Sequence, residues 1–366
     1  MSERPPIPWQ ELFKRNGGEV VHVEFRVLHK AGLPFLLLPQ NAKLAARALS
    51  LYPAQSTPAR FAKIALRWAL RTKLPLPLKT ERIEIATDDP FVRFLKELAG
   101  AENPPPIAIL PGNPRAPGRR FIVLVFDENQ NPSAVVKAGV GEAAIALIER
   151  EKSFLASVPE EALGVPRLRA SLDNTRVTAF ALNFIEGSSP RAGQMAAHPL
   201  LASWIDTSRR MPLHELPVWQ RLAASFPMPP SLQESVRETG NRRCHPALMH
   251  GDFAPWNVKV SREGAWMALD WDRGETAGVP GWDWFHFVVQ SAVLIAREEP
   301  LRLARDVEIF LESEPLRAYA ERAGITEFRR ELLLAYLLYC SNVLMPTEGI
   351  DAIRLLLAEL TTRWLL

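Results

Sequence analysis

The stretch HGDFAPWN at residues 250–257, followed by LDW at residues 269–271, is the most informative part of this chain. Asn257 follows Asp252 by five positions, and Asp270 follows Asn257 by thirteen. Between them, residues 258–260 and 266–269 predict a β-hairpin that returns the chain from Asn257 to Asp270. Carboxylate and amide oxygens are hard ligands of the kind that Mg²⁺ prefers, so the stretch predicts a metal-binding loop.

This set of oxygens predicts phosphoryl transfer. That reaction needs a carboxylate facing the attacking hydroxyl and a metal held on the phosphates. We predict that Asp252 is the catalytic residue and accepts the proton of a substrate hydroxyl, and that Asn257 and Asp270 are the Mg²⁺ ligands. The competing interpretation is a surface turn with a buried histidine at His250.

Extended through LDWDRGETAGVPGWDWFHF at residues 269–287, the same stretch resembles the catalytic and metal-binding segments of the aminoglycoside phosphotransferase and choline kinase group. It includes the group's G-x-P-x-x-D element, at Gly278, Pro280 and Asp283. The resemblance begins at about residue 105. It implies a bilobal protein-kinase-like fold, the use of ATP and Mg²⁺, and a structural role for Asp283 beside the catalytic loop.

Three further polar side chains near these motifs are candidates for weaker roles. In an extended chain Asp272 would share a face with Asp270, but the resemblance implies that Asp270 is the ligand and Asp272 a hydrogen-bonding neighbour. His245 and His286 have no second ligand at helical or hairpin spacing, so packed or capping roles are predicted for both.

An upstream lysine and glutamate predict a second part of the site. Lys137 ends the apolar strand AVVK, the context in which a kinase-like lysine reaches the α- and β-phosphates. On the helix predicted over residues 141–158, Glu151 falls within the apolar stripe, whereas Glu142 and Glu149 fall on the far side. We therefore predict that Glu151 holds Lys137, with Glu149 as the open alternative. The competing interpretations are an edge-strand lysine in water and a solvated helix carboxylate.

The segment LNFIEG at residues 182–187 lies where the resembling group's hinge holds adenine through backbone atoms. By position, the C=O of Asn183 and the N–H of Ile185 are the candidates, against the alternative of a plain strand end. The Pro- and Gly-rich residues 111–118 lack the G-x-G-x-x-G spacing of a phosphate-covering loop, so how the triphosphate is covered stays open.

The first hundred residues show no resemblance to a family that we recognise. Strands are predicted over residues 20–29 and 83–86, and a basic amphipathic helix over residues 60–73. Its apolar residues Phe61, Ile64, Ala65 and Trp68 recur at helical spacing, and its basic residues are Arg60, Lys63, Arg67 and Arg71. We predict that this helix packs on its own domain with its arginines in solvent. The alternative is docking on an anionic membrane surface or an acidic protein.

Composition narrows the class of protein. Over 366 residues the formal charge is +3, too small to predict a nucleic-acid partner. Residues 1–80 hold 13 basic and 4 acidic residues, a balance of +9, which leaves −6 for the rest. Two cysteines, Cys244 and Cys340, make no disulfide framework, and no apolar run spans a bilayer. A cytoplasmic location is expected.

Together these features predict an α+β protein: a bilobal protein-kinase-like fold with a β-rich N-lobe and a helical C-lobe, preceded by an extra N-terminal α+β module. The predicted divisions are residues 1–100 for the module, 105–187 for the N-lobe and hinge, and 188–366 for the C-lobe. The predicted activity is transfer of the γ-phosphate of ATP to a hydroxyl of a small molecule. The alternative is a catalytically silent nucleotide-binding scaffold that recruits a partner through its basic N-terminal domain.

Overall fold

The chain folds into two compact units. The computed structural model describes residues 9–13, 19–30, 32–52, 57–72, 74, 76–112, 119–190, 197–225, 227–346 and 348–365. The first unit comprises Met1–Ala156 and Pro166–Ile185, and the second comprises Ser157–Val165 and Glu186–Leu366. The first is rich in strands and the second in helices, so the predicted α+β class is confirmed.

One antiparallel sheet of eight strands organises the first unit, in the order β3-β1-β2-β4-β5-β6-β8-β7. Its strands come from both sides of residue 100, so the predicted N-terminal module and the predicted N-lobe contribute to the same sheet. The division at residue 100 itself stays a prediction. The strands are β1 Val20–Lys30, β2 Leu33–Pro39, β3 Lys79–Ala86, β4 Ile107–Pro111, β5 Arg119–Phe126, β6 Pro132–Val140, β7 Leu168–Asp173 and β8 Val177–Asn183.

The sheet is apolar on both faces because its side chains alternate between two cores. Leu36 and Leu38 of β2 belong to one core, while Leu37 between them belongs to the other. Helices α1 (Ala42–Ala48) and α2 (Thr57–Arg71) contribute to the first core, and α3 (Pro90–Ala99) contributes to the second. Helix α4 (Glu142–Ser157), close to the bounds predicted from periodicity, follows β6.

Helix α2 packs through a different face from the one predicted. Leu70 is buried and Leu66 packs beside it against the first core, whereas Phe61, Ile64 and Trp68 are exposed. The prediction that this helix packs on its own domain is therefore confirmed, but the face that it buries is not the one with Phe61, Ile64 and Trp68. The physical reason is that α2 has apolar residues on two sides, and the side with Leu66 and Leu70 joins the core to which α1 also contributes.

The second unit is mainly helical and carries three two-stranded antiparallel ladders, β9 with β10, β11 with β14, and β12 with β13. The hairpin predicted between Asn257 and Asp270 is confirmed as β12 and β13. No helix within the described residues is long and apolar enough to cross a membrane. The helices are α5 Ala197–Ser203, α6 Pro217–Ala223, α7 Pro230–Gly240, α8 Trp282–Gln290, α9 Pro300–Leu311, α10 Glu314–Ala323, α11 Arg329–Tyr339 and α12 Ile350–Leu365; the strands are β9 Met211–Pro212, β10 Arg243–Cys244, β11 Ala247–Met249, β12 Val258–Val260, β13 Trp266–Ala268 and β14 Glu275–Gly278.

Candidate active site

Asp283 anchors the loop that carries the predicted catalytic residue. This residue lies in the first turn of α8, and its carboxylate accepts hydrogen bonds from the backbone N–H of His250 at 2.6 Å and of Gly251 at 2.9 Å. Burial raises the pKa of Asp283, although the two N–H donors and the nearby histidines oppose the rise. The structural role that the sequence resemblance implied for Asp283 is thus confirmed.

The backbone of the loop requires glycine at position 251. Gly251 has a φ of +76°, and a Cβ atom there would lie 2.9 Å from the backbone oxygen of Arg273. A side chain would be strained by the dihedral angle and would also collide with backbone. The glycine therefore allows the chain to turn sharply between His250 and Asp252.

His250 links the loop of residues 250–257 to the strand end before Asp270. Its Nε2–H donates to the carbonyl of Leu269 at 2.8 Å, and its Nδ1 accepts the backbone N–H of Asp252 at 3.2 Å. These two bonds correspond to a neutral imidazole with the proton on Nε2. The ring is fully buried, so it is a rigid spacer between the two loops.

Both carboxylate oxygens of Asp252 have hydrogen-bond partners. Nε2 of His286 lies 3.0 Å from Oδ1, and the Nδ2 amide of Asn257 donates to Oδ2 at 2.9 Å and to the Asp252 carbonyl at 2.9 Å. Burial pushes the pKa of Asp252 upward, but the hydrogen bond from His286 and the positive charge of Arg273 act in the opposite direction and outweigh it. The net result is a pKa below its ordinary value. The carboxylate is therefore ionised and fixed in orientation.

The contact between His286 and Asp252 corrects the sequence interpretation of His286 as a residue with only a packing or capping role. The Tyr336 hydroxyl lies 3.1 Å from Nδ1 of His286, so a neutral ring can accept there and donate from Nε2 to Asp252. One signal could have found this contact. His286 follows Asp283 by three positions, and residues at that spacing share a helix face, so both point to the same loop.

Asn257 and Asp270 are brought together by the hairpin. The N–H of Leu269 donates to the carbonyl of Asn257 at 2.7 Å, next to the pairing of Val258 with Ala268. Asp270 is exposed and has a φ of +69°, a left-handed conformation that is uncommon for residues other than glycine. Such strained positions are often functional.

The two residues fit a hard metal ion by their chemistry. Because Asn257 uses its amide nitrogen on Asp252, its Oδ1 is the atom that can bind a cation. The carboxylate of Asp270 is a second hard oxygen donor. Within the described ranges, no group of three or more His, Cys, Asp or Glu side chains is placed to hold a metal ion. The assignment of Asn257 and Asp270 as Mg²⁺ ligands stays a prediction. So does the neighbour role of Asp272.

The ion pair predicted between Lys137 and Glu151 is present in the first unit. The Lys137 ammonium lies 2.6 Å and 2.8 Å from the two carboxylate oxygens of Glu151, whereas Glu149 is exposed. Strand β6 pairs with β5 and β8 on its two sides, so the alternative of an edge-strand lysine is wrong. The role of the pair in nucleotide binding stays a prediction.

Gly139 allows the close packing that this pair needs. A Cβ atom at Gly139 would lie 2.8 Å from the backbone carbonyl of Ala144, so glycine lets the first turn of α4 approach β6. Ala144 and Glu151 are seven positions apart and both buried, which places Glu151 on the face of α4 that meets Lys137.

The predicted adenine contacts lie where the chain leaves the sheet. Asn183 is the last residue of β8, Phe184 donates its N–H to the Ser133 carbonyl at 3.1 Å, and Ile185 is the last residue of the first unit. Their backbone roles stay predictions. The Pro- and Gly-rich segment begins at the end of β4, but residues 113–118 lie outside the described residues.

Comparisons with known proteins give a structural likeness only. No protein-family model matches the sequence, and no curated protein matches it either. Among solved structures, the chain is similar to a thermostable mutant of aminoglycoside phosphotransferase APH(4)-Ia in ternary complex with ADP and hygromycin B, with 14% identity, a TM-score of 0.41, and coverage of 76% of this chain and 97% of that one. It is also similar to aminoglycoside phosphotransferase APH(3'')-Id from Streptomyces rimosus, with 14% identity, a TM-score of 0.41, and coverage of 72% of this chain and 97% of that one. A third similar structure is a choline kinase from Cryptosporidium parvum, with 8% identity, a TM-score of 0.40, and coverage of 70% of this chain and 88% of that one.

Proposed function

We propose that this chain transfers the γ-phosphoryl group of ATP to a hydroxyl group of a small molecule. The observation that carries the proposal is the placement of Asp252 between His286 and Asn257, in a loop anchored by Asp283 and joined to Asp270 through the β12–β13 hairpin. An ionised, oriented carboxylate beside two oxygen ligands is the arrangement that phosphoryl transfer requires.

In this proposal Asp252 positions the acceptor hydroxyl and receives its proton. The hydroxyl oxygen forms a bond to the γ-phosphorus, the bond from that phosphorus to the β–γ bridging oxygen breaks, and ADP leaves. The proton of the hydroxyl passes to the Asp252 carboxylate. Because the pKa of Asp252 is lowered, this carboxylate is a weak base, which suits a loose transition state in which orientation contributes more than proton removal.

Asn257 and Asp270 are the residues that would hold Mg²⁺, and the ion would supply positive charge to the phosphate oxygens. In the first unit, Lys137 would bind the α- and β-phosphates as a point charge, with Glu151 fixing its position. Asn183 and Ile185 would bind adenine through their backbone atoms. The acceptor would be an amino alcohol, an aminoglycoside, a sugar or a glycan precursor.

Nucleotide binding can be tested by thermal unfolding with and without Mg²⁺ and ATP. A ligand at 100 times its dissociation constant adds about 2.7 kcal/mol to native stability. We expect a shift for the wild type that requires Mg²⁺, and a smaller one for Asp270→Asn, because asparagine tolerates a positive φ but lacks the charge. Asp272→Asn is the matched control and should keep the wild-type shift. Equal shifts for wild type and Asp270→Asn would contradict the metal assignment.

Turnover is tested by Asp252→Ala with a panel of hydroxylated acceptors and coupled detection of ADP. We expect the variant to lose transfer while keeping the nucleotide-dependent shift in melting temperature. Wild-type rates in a folded Asp252→Ala variant would refute the proposal. Nucleotide binding by a wild type that turns over no acceptor would instead support a catalytically silent scaffold.

A further inference from the structure

Helix α2 presents a stripe of large apolar side chains to solvent. Phe61, Ile64 and Trp68 are 68%, 64% and 62% exposed, and they recur at i, i+3 and i+7, which places them along one face of the helix. We call these three residues the exposed stripe. Single exposed apolar residues are ordinary, but three contiguous ones that include two aromatic rings mark an interaction surface.

The exposed stripe is additional to the face through which α2 already packs. Ala69 and Leu70 on the other side are buried, and Arg67 donates to the Ala46 carbonyl at 3.3 Å, so α2 is held against the first unit without the stripe. Lys63 likewise donates to the Tyr52 carbonyl at 2.7 Å. The helix is therefore ordered, and its outer face is preformed for a partner.

All the charged side chains of helix α2 are basic. The helix Thr57–Arg71 contains four basic and no acidic residues. At about 100° per residue, exposed Arg60 and Arg71 fall within about 40° of Ile64, along one edge of the stripe. Residues 1–80, in which the helix lies, have a balance of 13 basic to 4 acidic side chains, or +9.

We propose that α2 docks on an anionic lipid surface, with the exposed stripe in the boundary between headgroups and acyl chains and the arginines on the lipid phosphates. Tryptophan and phenylalanine are suited to that boundary, and arginine stems extend beside it to keep the charge at headgroup level. A second copy of this chain is a poorer occupant, because a two-fold pairing of the same faces would bring their arginines together. This surface is independent of the proposed phosphotransfer.

Sedimentation of the full chain with lipid vesicles tests the proposal without any nucleotide. We expect binding to phosphatidylcholine vesicles that contain phosphatidylserine to exceed binding to pure phosphatidylcholine by about ten-fold or more, and to weaken as salt is raised. The triple variant Phe61→Ser, Ile64→Ser, Trp68→Ser should lose most of this binding while keeping its melting temperature, because all three side chains are exposed.

Two further variants sharpen the test. Arg60→Gln with Arg71→Gln should lose the preference for phosphatidylserine. Leu301→Ser with Ile309→Ser is the matched control, since these side chains of α9 are 64% and 61% exposed, and it should bind like the wild type. If the wild type ignores phosphatidylserine, or if the stripe and control variants bind equally, the proposal is refuted.

Other occupants of the stripe give distinct results. A wild-type dimer in light scattering that the stripe variant dissociates would assign the surface to a second copy and overturn the lipid proposal. Binding of polyglutamate as tight as binding of vesicles, and retained by the serine variant, would assign the surface to an acidic partner and would also overturn it.

Discussion

Replacing Asp283 by asparagine should loosen the loop that carries Asp252 and destabilise the second unit. In asparagine one carboxylate oxygen becomes an NH₂ group, so the N–H of either His250 or Gly251 loses its acceptor. A buried donor without a partner costs about 1–3 kcal/mol, and the remaining bond weakens by about 1 kcal/mol because its acceptor is no longer charged. Since burial raises the pKa of Asp283, removing the charge offsets part of this loss, and we expect a net loss of about 1–3 kcal/mol.

Urea unfolding followed by tryptophan fluorescence measures this loss in the relevant unit. Eight of the ten tryptophans lie within residues 186–366, so the signal reports mainly on the second unit. At a slope of about 2 kcal/mol per molar urea, a loss of about 2 kcal/mol lowers the midpoint by about 1 M. A reduced midpoint with an unchanged slope is the expected result.

Asp306→Asn is the matched control for this measurement. Asp306 lies on the surface of α9, where its Oδ2 is 3.7 Å from Nε of Arg302. The same chemical change there should leave the free energy of unfolding within about 0.5 kcal/mol of the wild-type value. If Asp283→Asn unfolds at the same urea concentration as Asp306→Asn, the buried carboxylate does not hold the loop, and the proposed rigidity of the loop that carries Asp252 loses its basis.

Three further changes test the same loop. His286→Ala removes the group that lowers the pKa of Asp252, so burial should dominate and move the acid limb of the pH–activity profile to higher pH. In the wild type, the ionised form of Asp252 and the stability that it contributes are lost only as the pH falls through the lowered pKa. Tyr336→Phe, which removes the hydroxyl bonded to His286, should move that limb in the same direction but less. Gly251→Ala should cost more stability in thermal unfolding than Gly264→Ala, because both have positive φ but only Gly251 has backbone against its Cβ position.

Local patterns predicted much of the site. The β12–β13 hairpin, the extent of α4 and the pairing of Lys137 with Glu151 follow from patterns along the chain. Such spacings predict which side chains share a face because helices and strands repeat with fixed periods. The choice of Glu151 over Glu149 depended only on which side of α4 is apolar. The anchoring role of Asp283 was instead implied by the family resemblance, since Asp283 lies 33 positions from His250.

Contacts between residues far apart in the sequence were harder to predict. His286 is 34 positions from Asp252, and Tyr336 is 50 positions from His286. The three-residue spacing of His286 from Asp283 is the one local signal for the first hydrogen bond, and no local pattern marks the second. The eight-stranded sheet joins β2 with β4 across α2 and β3, a pairing between segments that the sequence divided at residue 100. The buried face of α2 was not predicted for a related reason: periodicity shows that a helix has an apolar face, but not whether that face meets a core.

The sequence by itself determined the residue types and spacings of the catalytic loop, the hairpin to Asp270 and the lysine–glutamate pair, because each depends on local geometry. Only the tertiary structure decided which side chain holds Asp252, which face of α2 is buried, and that the strands of residues 1–100 extend the same sheet as those that follow. Those outcomes depend on which distant surfaces fill one another's space, and burial of that kind is a property of the whole fold.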